Sequence, residues 1–91
     1  MKMICFINLF TANARVYSVD TDNTQEYLGE VSLEEAAEKL VDLCEFTDLH
    51  HLTLIGAPTY ADALVPEILT YAKTKYSNNE LIVEVMRWWN T

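Results

Sequence analysis

The first third of the chain alternates apolar runs with polar turns in a way that predicts three successive strands. Met3 to Phe10 is almost unbroken apolar sequence, which is typical of a central strand buried on both faces. Residues 15–20 then alternate apolar and polar side chains, as a half-buried strand does, and a polar turn precedes a third extended run, 25–31. Because the connections are short, this segment predicts an antiparallel meander.

Helical periodicity begins at residue 32. Ser32 and Glu35 have the spacing of a capping box, in which each side chain bonds to the main chain of the other residue. Apolar residues then recur at intervals of three and four as far as Cys44, so we predict an amphipathic helix. A short strand, 51–55, follows this helix.

The last third predicts a second helix and a final strand. Pro66 interrupts the helical pattern, and an interior proline removes a donor and clashes with the preceding turn, so we expect a kink near Val65. We therefore expect a short helical turn before Pro66 and a longer helix after it. Residues 81–86 read as the last strand.

The order of elements, βββαβαβ, predicts a single α/β domain over residues 1–91. It would contain a five-stranded mixed sheet of order 3-2-1-4-5 with both helices mainly on one face. This order resembles the core of the ribonuclease H-like fold superfamily, in which an antiparallel meander leads and the first strand lies in the middle of the sheet. The resemblance covers nearly the whole chain and is one of topology.

Nucleases of that superfamily hold two metal ions with carboxylates on the first strand, the first helix, the end of the fourth strand and a later helix. Here the first strand carries Asn8, and the fourth ends in Gly56-Ala57-Pro58. The resemblance therefore implies the fold without the nuclease chemistry.

The helices should leave one sheet face bare, because two right-handed crossovers that advance in the same direction place both helices on the same side. We expect a homodimer through this open face, since an exposed apolar patch usually marks an interface. Trp88 and Trp89, just after the last strand, would fold over the face or anchor a partner. The residues expected on the open face are Phe6, Asn8, Phe10, Ser18, Leu28, Thr53, Ile82, Glu84 and Met86.

Charge points to a basic protein partner. The chain has 14 acidic and 6 basic residues, a net charge of −8, which argues against direct binding of nucleic acid. A one-sided acidic field steers basic partners, although an acidic surface also serves solubility alone. The polar face of the first predicted helix carries four of the acidic residues, here called the acidic strip: Glu34, Glu38, Asp42 and Glu45.

Other chemistry finds little support in the sequence. Cys5 and Cys44 lie in apolar patterns and are interpreted as core residues. His50 and His51 should point to opposite faces of a strand, which does not suit a shared metal ion. We therefore expect no metal and no cofactor. No apolar stretch reaches the roughly 18 residues that span a bilayer. The apolar run near the start is short for a signal peptide and contains Asn8, so we expect a cytoplasmic protein without membrane contact.

The sequence thus favours a non-enzymatic interaction module, such as a phage or mobile-element inhibitor that occupies a basic surface of its partner. Two alternatives stay open: a divergent metal-dependent hydrolase and a purely structural subunit. The hydrolase would use Asp20, Glu38, Asp62 or Glu84 as ligands. The residues expected to make interactions are Phe6, Phe10, Glu34, Glu38, Asp42, Glu45, Trp88 and Trp89.

Overall fold

The computed structural model describes residues 2–43 and 49–86. Predictions that concern Cys44, Glu45, Trp88 and Trp89 lie outside the described residues. The elements are β1 (Lys2–Asn8), β2 (Asn13–Val19), β3 (Gln25–Ser32), a 3-10 turn (Leu33–Glu35), α1 (Ala36–Asp42), β4 (His51–Ile55), α2 (Pro58–Tyr76) and β5 (Ile82–Met86).

The strands form one five-stranded mixed sheet of order β3-β2-β1-β4-β5, which confirms the predicted α/β fold class. The meander pairs antiparallel, β1 with β2 and β2 with β3. The two strands that follow helices pair parallel, β4 with β1 and β5 with β4. The most apolar strand, β1, therefore lies in the middle of the sheet.

Both helices cover the same face of the sheet. α1 contacts β2 and β3, and α2 contacts β4 and β5. Alternate strand residues join the helices in one core, and Leu52, Leu54 and Ile68 in this core are fully buried. The core includes Met3, Cys5, Ala14, Val16, Leu52 and Leu54 from the sheet and Ala36, Leu40, Ala61, Leu64 and Ile68 from the helices.

The first helix begins as predicted but with a different hydrogen bond. The Ser32 side chain accepts from the Glu34 N–H at 3.3 Å, and the first turn is a 3-10 turn rather than an α-helical one. α1 itself spans seven residues, Ala36–Asp42.

The prediction of a break before Pro66 is wrong. α2 is one continuous 19-residue helix with Pro66 inside it. An interior proline costs roughly 3 kcal/mol, whereas burying one large apolar side chain stabilises by about 1.5–3 kcal/mol. Leu64 and Ile68, on either side of the proline, are both buried in the core, so a break would forfeit more than the proline costs.

Two residues expected on the open face lie elsewhere. Ser18 is buried on the helix-covered face, opposite Met3 of β1, and its neighbour Tyr17 takes the open side. Leu28 packs against the core because the register between β2 and β3 shifts, so that Tyr17 pairs with Tyr27. This bulge reverses the alternation of β3, which the pattern of side chains does not reveal.

Candidate interaction surface

The strand registers define an open sheet face that no described helix covers. One row crosses all five strands at the carboxyl end of β1, and its aromatic and aliphatic members lie beside one ion pair. That row is Glu30, Arg15, Phe6, Ile55 and Met86. The neighbouring rows are Tyr27, Tyr17, Ile4, Thr53 and Glu84, and then Gln25, Val19, Lys2, His51 and Ile82.

Three aromatic rings form a ladder across this face. Phe6 and Tyr17 meet edge to face, with ring centroids 5.6 Å apart and planes at 89°. Tyr17 and Tyr27 are 5.4 Å apart with tilted rings. Such pairs contribute about 0.5–1.5 kcal/mol beyond their buried area, so the rings are held in place without a partner.

Large apolar side chains are exposed on β5 and at the tip of the β1–β2 hairpin. Ile82 and Met86 on β5 are 61% and 49% exposed. Phe10 is fully exposed on the hairpin tip, where Asn8 Oδ1 accepts from the Phe10 N–H at 2.9 Å. Phe10 and Phe6 line the same shallow depression of about 760 Å³, which confirms their proximity although Phe10 lies outside the strand.

The charged groups of the open face are largely paired within it. Glu30 accepts from Arg15 Nε at 3.3 Å and from Asn13 Nδ2 at 2.9 Å. On β4 and β5, His51 Nε2 contacts Glu84 Oε1. A partner that covers the face therefore meets Arg15 and Glu30 already paired with each other, which lowers the cost of desolvating these two groups.

The acidic strip divides into two parts. Asp42 Oδ1 accepts from Lys75 Nζ at 2.8 Å and from the Tyr76 hydroxyl at 2.7 Å, and these bonds hold the pKa of the Asp42 carboxyl below its usual value. The same bond raises the pKa of Lys75, whose Nζ also lies 3.9 Å from Glu38. Asp42 therefore fastens α1 to the end of α2, and among the described members of the strip Glu34 is the one that lies away from Lys75.

The packing of α1 on α2 adds acidic and aromatic groups that the sequence analysis missed. Glu67 and Tyr71 of α2 line a groove of about 670 Å³ together with Glu34 and Glu38. Tyr60 lies in the same groove, and its hydroxyl donates to a main-chain carbonyl at 2.6 Å. No pattern along the chain marks Glu67 and Tyr71, because only helix packing places them beside the strip.

The residues suggested as hydrolase ligands are spread over the molecule. Glu38 is on α1, Asp62 on α2, Glu84 on the open face of β5, and Asp20 follows β2. Within residues 2–43 and 49–86, no group of three or more His, Cys, Asp or Glu side chains is arranged to hold a metal ion.

Asn8 uses its side-chain oxygen to close the hairpin turn. No described helix is long and apolar enough to cross a membrane.

Comparisons with protein-family models, with curated proteins and with solved structures found no match for this chain. Its function is therefore inferred from the geometry of these surfaces.

Proposed function

We propose that the protein is a non-enzymatic interaction module that forms a homodimer through its open sheet face. The observation that carries the proposal is the ladder of Phe6, Tyr17 and Tyr27, continued by Ile55 and Met86, on a sheet face that no helix within residues 2–43 and 49–86 covers. A patch of this composition on a soluble domain is typical of an interface. Sheet faces also pack on one another at about 10 Å, with interdigitating side chains.

The size of the face sets the strength expected of the dimer. Five strands about 4.8 Å apart, with a rise of about 3.3 Å per residue, give a footprint of roughly 500 Å² on each copy. A standard interface buries about 800 Å² on each partner. The sheet face alone is therefore smaller than a standard interface and supports a weak dimer, and Phe10 at the hairpin tip extends its area.

The charge distribution is compatible with such a dimer despite the net charge of −8. α1 packs on the opposite side of the sheet, so a face-to-face dimer keeps the two acidic strips on its outer surfaces. There Glu34 and Glu38 remain accessible to a basic partner, which the one-sided field would steer. In this proposal the open face joins two copies, and the acidic strips of both copies bind the basic partner.

Sedimentation equilibrium tests the dimer, with Phe6→Lys as the disrupting variant and Thr70→Lys, on the exposed side of α2, as the control. A weak dimer predicts that the average mass of the wild type rises toward twice the monomer mass as the concentration increases from about 1 µM to about 1 mM. Phe6→Lys should stay monomeric, and Thr70→Lys should behave like the wild type. A wild type that stays monomeric at 1 mM, or a dimer indifferent to Phe6→Lys, contradicts the proposal.

A salt titration tests the role of the acidic strip once a basic partner is in hand. Reversing the charge at Glu34 and Glu38 should weaken binding, and the affinity of the wild type should fall as salt increases. Glu26→Lys, on exposed β3, changes the net charge as much as either single charge reversal and should weaken binding less than that reversal does. Affinity that does not depend on ionic strength would remove the electrostatic part of the proposal.

A further inference from the structure

The outer edge of β5 is a second surface with unused binding capacity. Within the described residues, β5 is the last strand of the sheet and pairs only with β4. The Ile82 N–H donates to the His50 carbonyl at 2.9 Å, and the Met86 carbonyl accepts from the Gly56 N–H at 3.3 Å. The main-chain groups of Ile82 and Met86 therefore point inward, toward β4.

Main-chain groups alternate sides along a strand, so the N–H and carbonyl groups of Val83 and Val85 point outward, away from β4. These two residues present two donors and two acceptors along the edge. Their side chains lie on the helix-covered face and pack against the core. The edge thus offers the main-chain hydrogen bonds that an added strand requires.

The two edges of the sheet differ in a way that selects β5. The β3 edge contains the bulge and Gly29 at φ 142°, both of which discourage strand addition. β5 pairs with β4 one to one from Ile82 to Met86, and it contains no proline, glycine or lysine. A regular strand edge of this kind is the usual site of β-strand addition.

Exposed apolar side chains border the β5 edge on both sides. Ile82 and Met86 are half or more exposed on the open face. On α2, Leu69 is 38% exposed and lies 100° around the helix from the buried Ile68, on the side away from α1. A strand laid along β5 would gain apolar contact above and below its backbone.

The acidic residues near β5 indicate which kind of strand the edge would bind. Glu84 lies in the centre of β5, Glu80 precedes the strand, and Asp62 shares the flank of α2 with Leu69. Pairing β5 with a second copy around its centre places Glu84 opposite Glu84, and directly opposed like charges destabilise a sheet. A strand with Lys or Arg opposite Glu84 gains an opposite-charge pair instead.

We propose that the outer edge of β5 binds an extended segment of another protein in which β-branched residues alternate with lysine or arginine. The segment hydrogen-bonds to the main chain of Val83 and Val85, directs its cations toward Glu84 on the open-face side, and packs its apolar side chains toward Leu69. The main-chain groups of Val83 and Val85 point away from the sheet at its edge, whereas Glu84 lies on the open face, so the homodimer and the added strand compete for Glu84.

The test uses a labelled seven-residue peptide that alternates lysine and valine, with fluorescence anisotropy for affinity and amide hydrogen exchange for location. Binding should slow exchange of the Val83 and Val85 amides at least tenfold at saturation and leave the Ile82 amide, already bonded to β4, unchanged. A peptide that alternates glutamate and valine is the control and should bind more weakly. No saturable binding of the lysine peptide at 1 mM, or binding without protection of Val83 and Val85, overturns the proposal.

Variants separate the edge from the rest of the surface. Val85→Pro removes an outward donor that the β4 ladder does not use, and it should abolish binding, whereas Val85→Thr keeps the donor and should bind. Glu84→Lys should weaken binding of the lysine peptide about fivefold and strengthen that of the glutamate peptide. A folded Val85→Pro variant that binds normally contradicts the proposal.

The monomeric background Phe6→Lys distinguishes this site from the homodimer. Peptide binding should persist in that variant, so loss of the dimer and loss of the edge site give different results. If the peptide binds the wild type but not Phe6→Lys, the binding depends on the open face and the edge proposal fails.

Discussion

Two adjacent residues after β4, Gly56 and Ala57, should respond to substitution with opposite signs. Gly56 has φ 94°, and a Cβ placed there would lie 3.0 Å from the carbonyl oxygen of Ile7. Ala57, the next residue, also has a positive φ, 43°, but already carries a side chain. The chain turns here from the end of β4 into α2, so both conformations are imposed by the connection.

The magnitudes follow from the backbone strain. A left-handed conformation costs a residue with a Cβ about 1–2 kcal/mol, and in Gly56→Ala the contact with a fixed main-chain oxygen adds to this. We expect Gly56→Ala to lower the free energy of unfolding by about 2–3 kcal/mol. Ala57→Gly relieves this backbone strain, but the added conformational entropy of the unfolded chain offsets about 0.4–1 kcal/mol of the gain. The substitution should therefore raise the free energy of unfolding by about 0.5–1 kcal/mol. For a domain of this size, 1 kcal/mol corresponds to about 4–8 °C in Tm.

Urea unfolding followed by far-UV circular dichroism measures both effects, and the slope of the unfolding free energy should not change. Gly29→Ala is the control, because Gly29 has φ 142° but no atom within 4 Å of the added Cβ. It should destabilise less than Gly56→Ala. The reasoning is refuted if Gly56→Ala is no worse than the control, or if Ala57→Gly lowers the midpoint.

Three further predictions concern groups with perturbed surroundings. Because the pKa of Asp42 is lowered, its bond to Lys75 stabilises the fold at neutral pH, and this contribution disappears as the pH falls below about 4. In Lys75→Met, the Tm from thermal unfolding should therefore decrease less than in the wild type when the pH is lowered through this range. Burial raises the pKa of Cys5 to about 12. In a Cys44→Ser background, a thiol reagent at about pH 8 should therefore react with Cys5 only after the protein unfolds. Rapid labelling of the folded protein would contradict this. Tyr60→Phe removes a 2.6 Å hydrogen bond and should cost about 1 kcal/mol in urea unfolding, an unchanged midpoint being the contrary result.

The open face illustrates how far the sequence pattern reaches. Phe6, Thr53 and Glu84 were placed on that face by period-two alternation, and the registers confirm all three. The alternation fails at Leu28, because a bulge adds one residue to β3 and reverses which side later residues occupy. A bulge changes the pairing between strands and leaves no mark in the order of apolar and polar residues.

The acidic strip shows the same limit for electrostatics. Helical spacing predicts that Glu34, Glu38 and Asp42 form one acidic group, but Asp42 accepts a hydrogen bond from Lys75, 33 residues away. Whether a carboxylate is free for a partner depends on which cations the fold brings near it. Glu67 lies across the groove from the strip, and the sequence pattern missed it because only the packing of α2 on α1 places it there.

By itself, the sequence determined the order of the elements, the central position of β1 and the presence of a sheet with both helices on one face. These follow from local periodicity and from the handedness of crossover connections, both of which are properties of neighbouring residues. Only the tertiary structure decided that α2 continues through Pro66, that Asp42 pairs with Lys75, and which edge of the sheet contains the bulge. Those outcomes depend on burial, pairing and strand register between distant segments, and such interactions are larger than the local preferences they override.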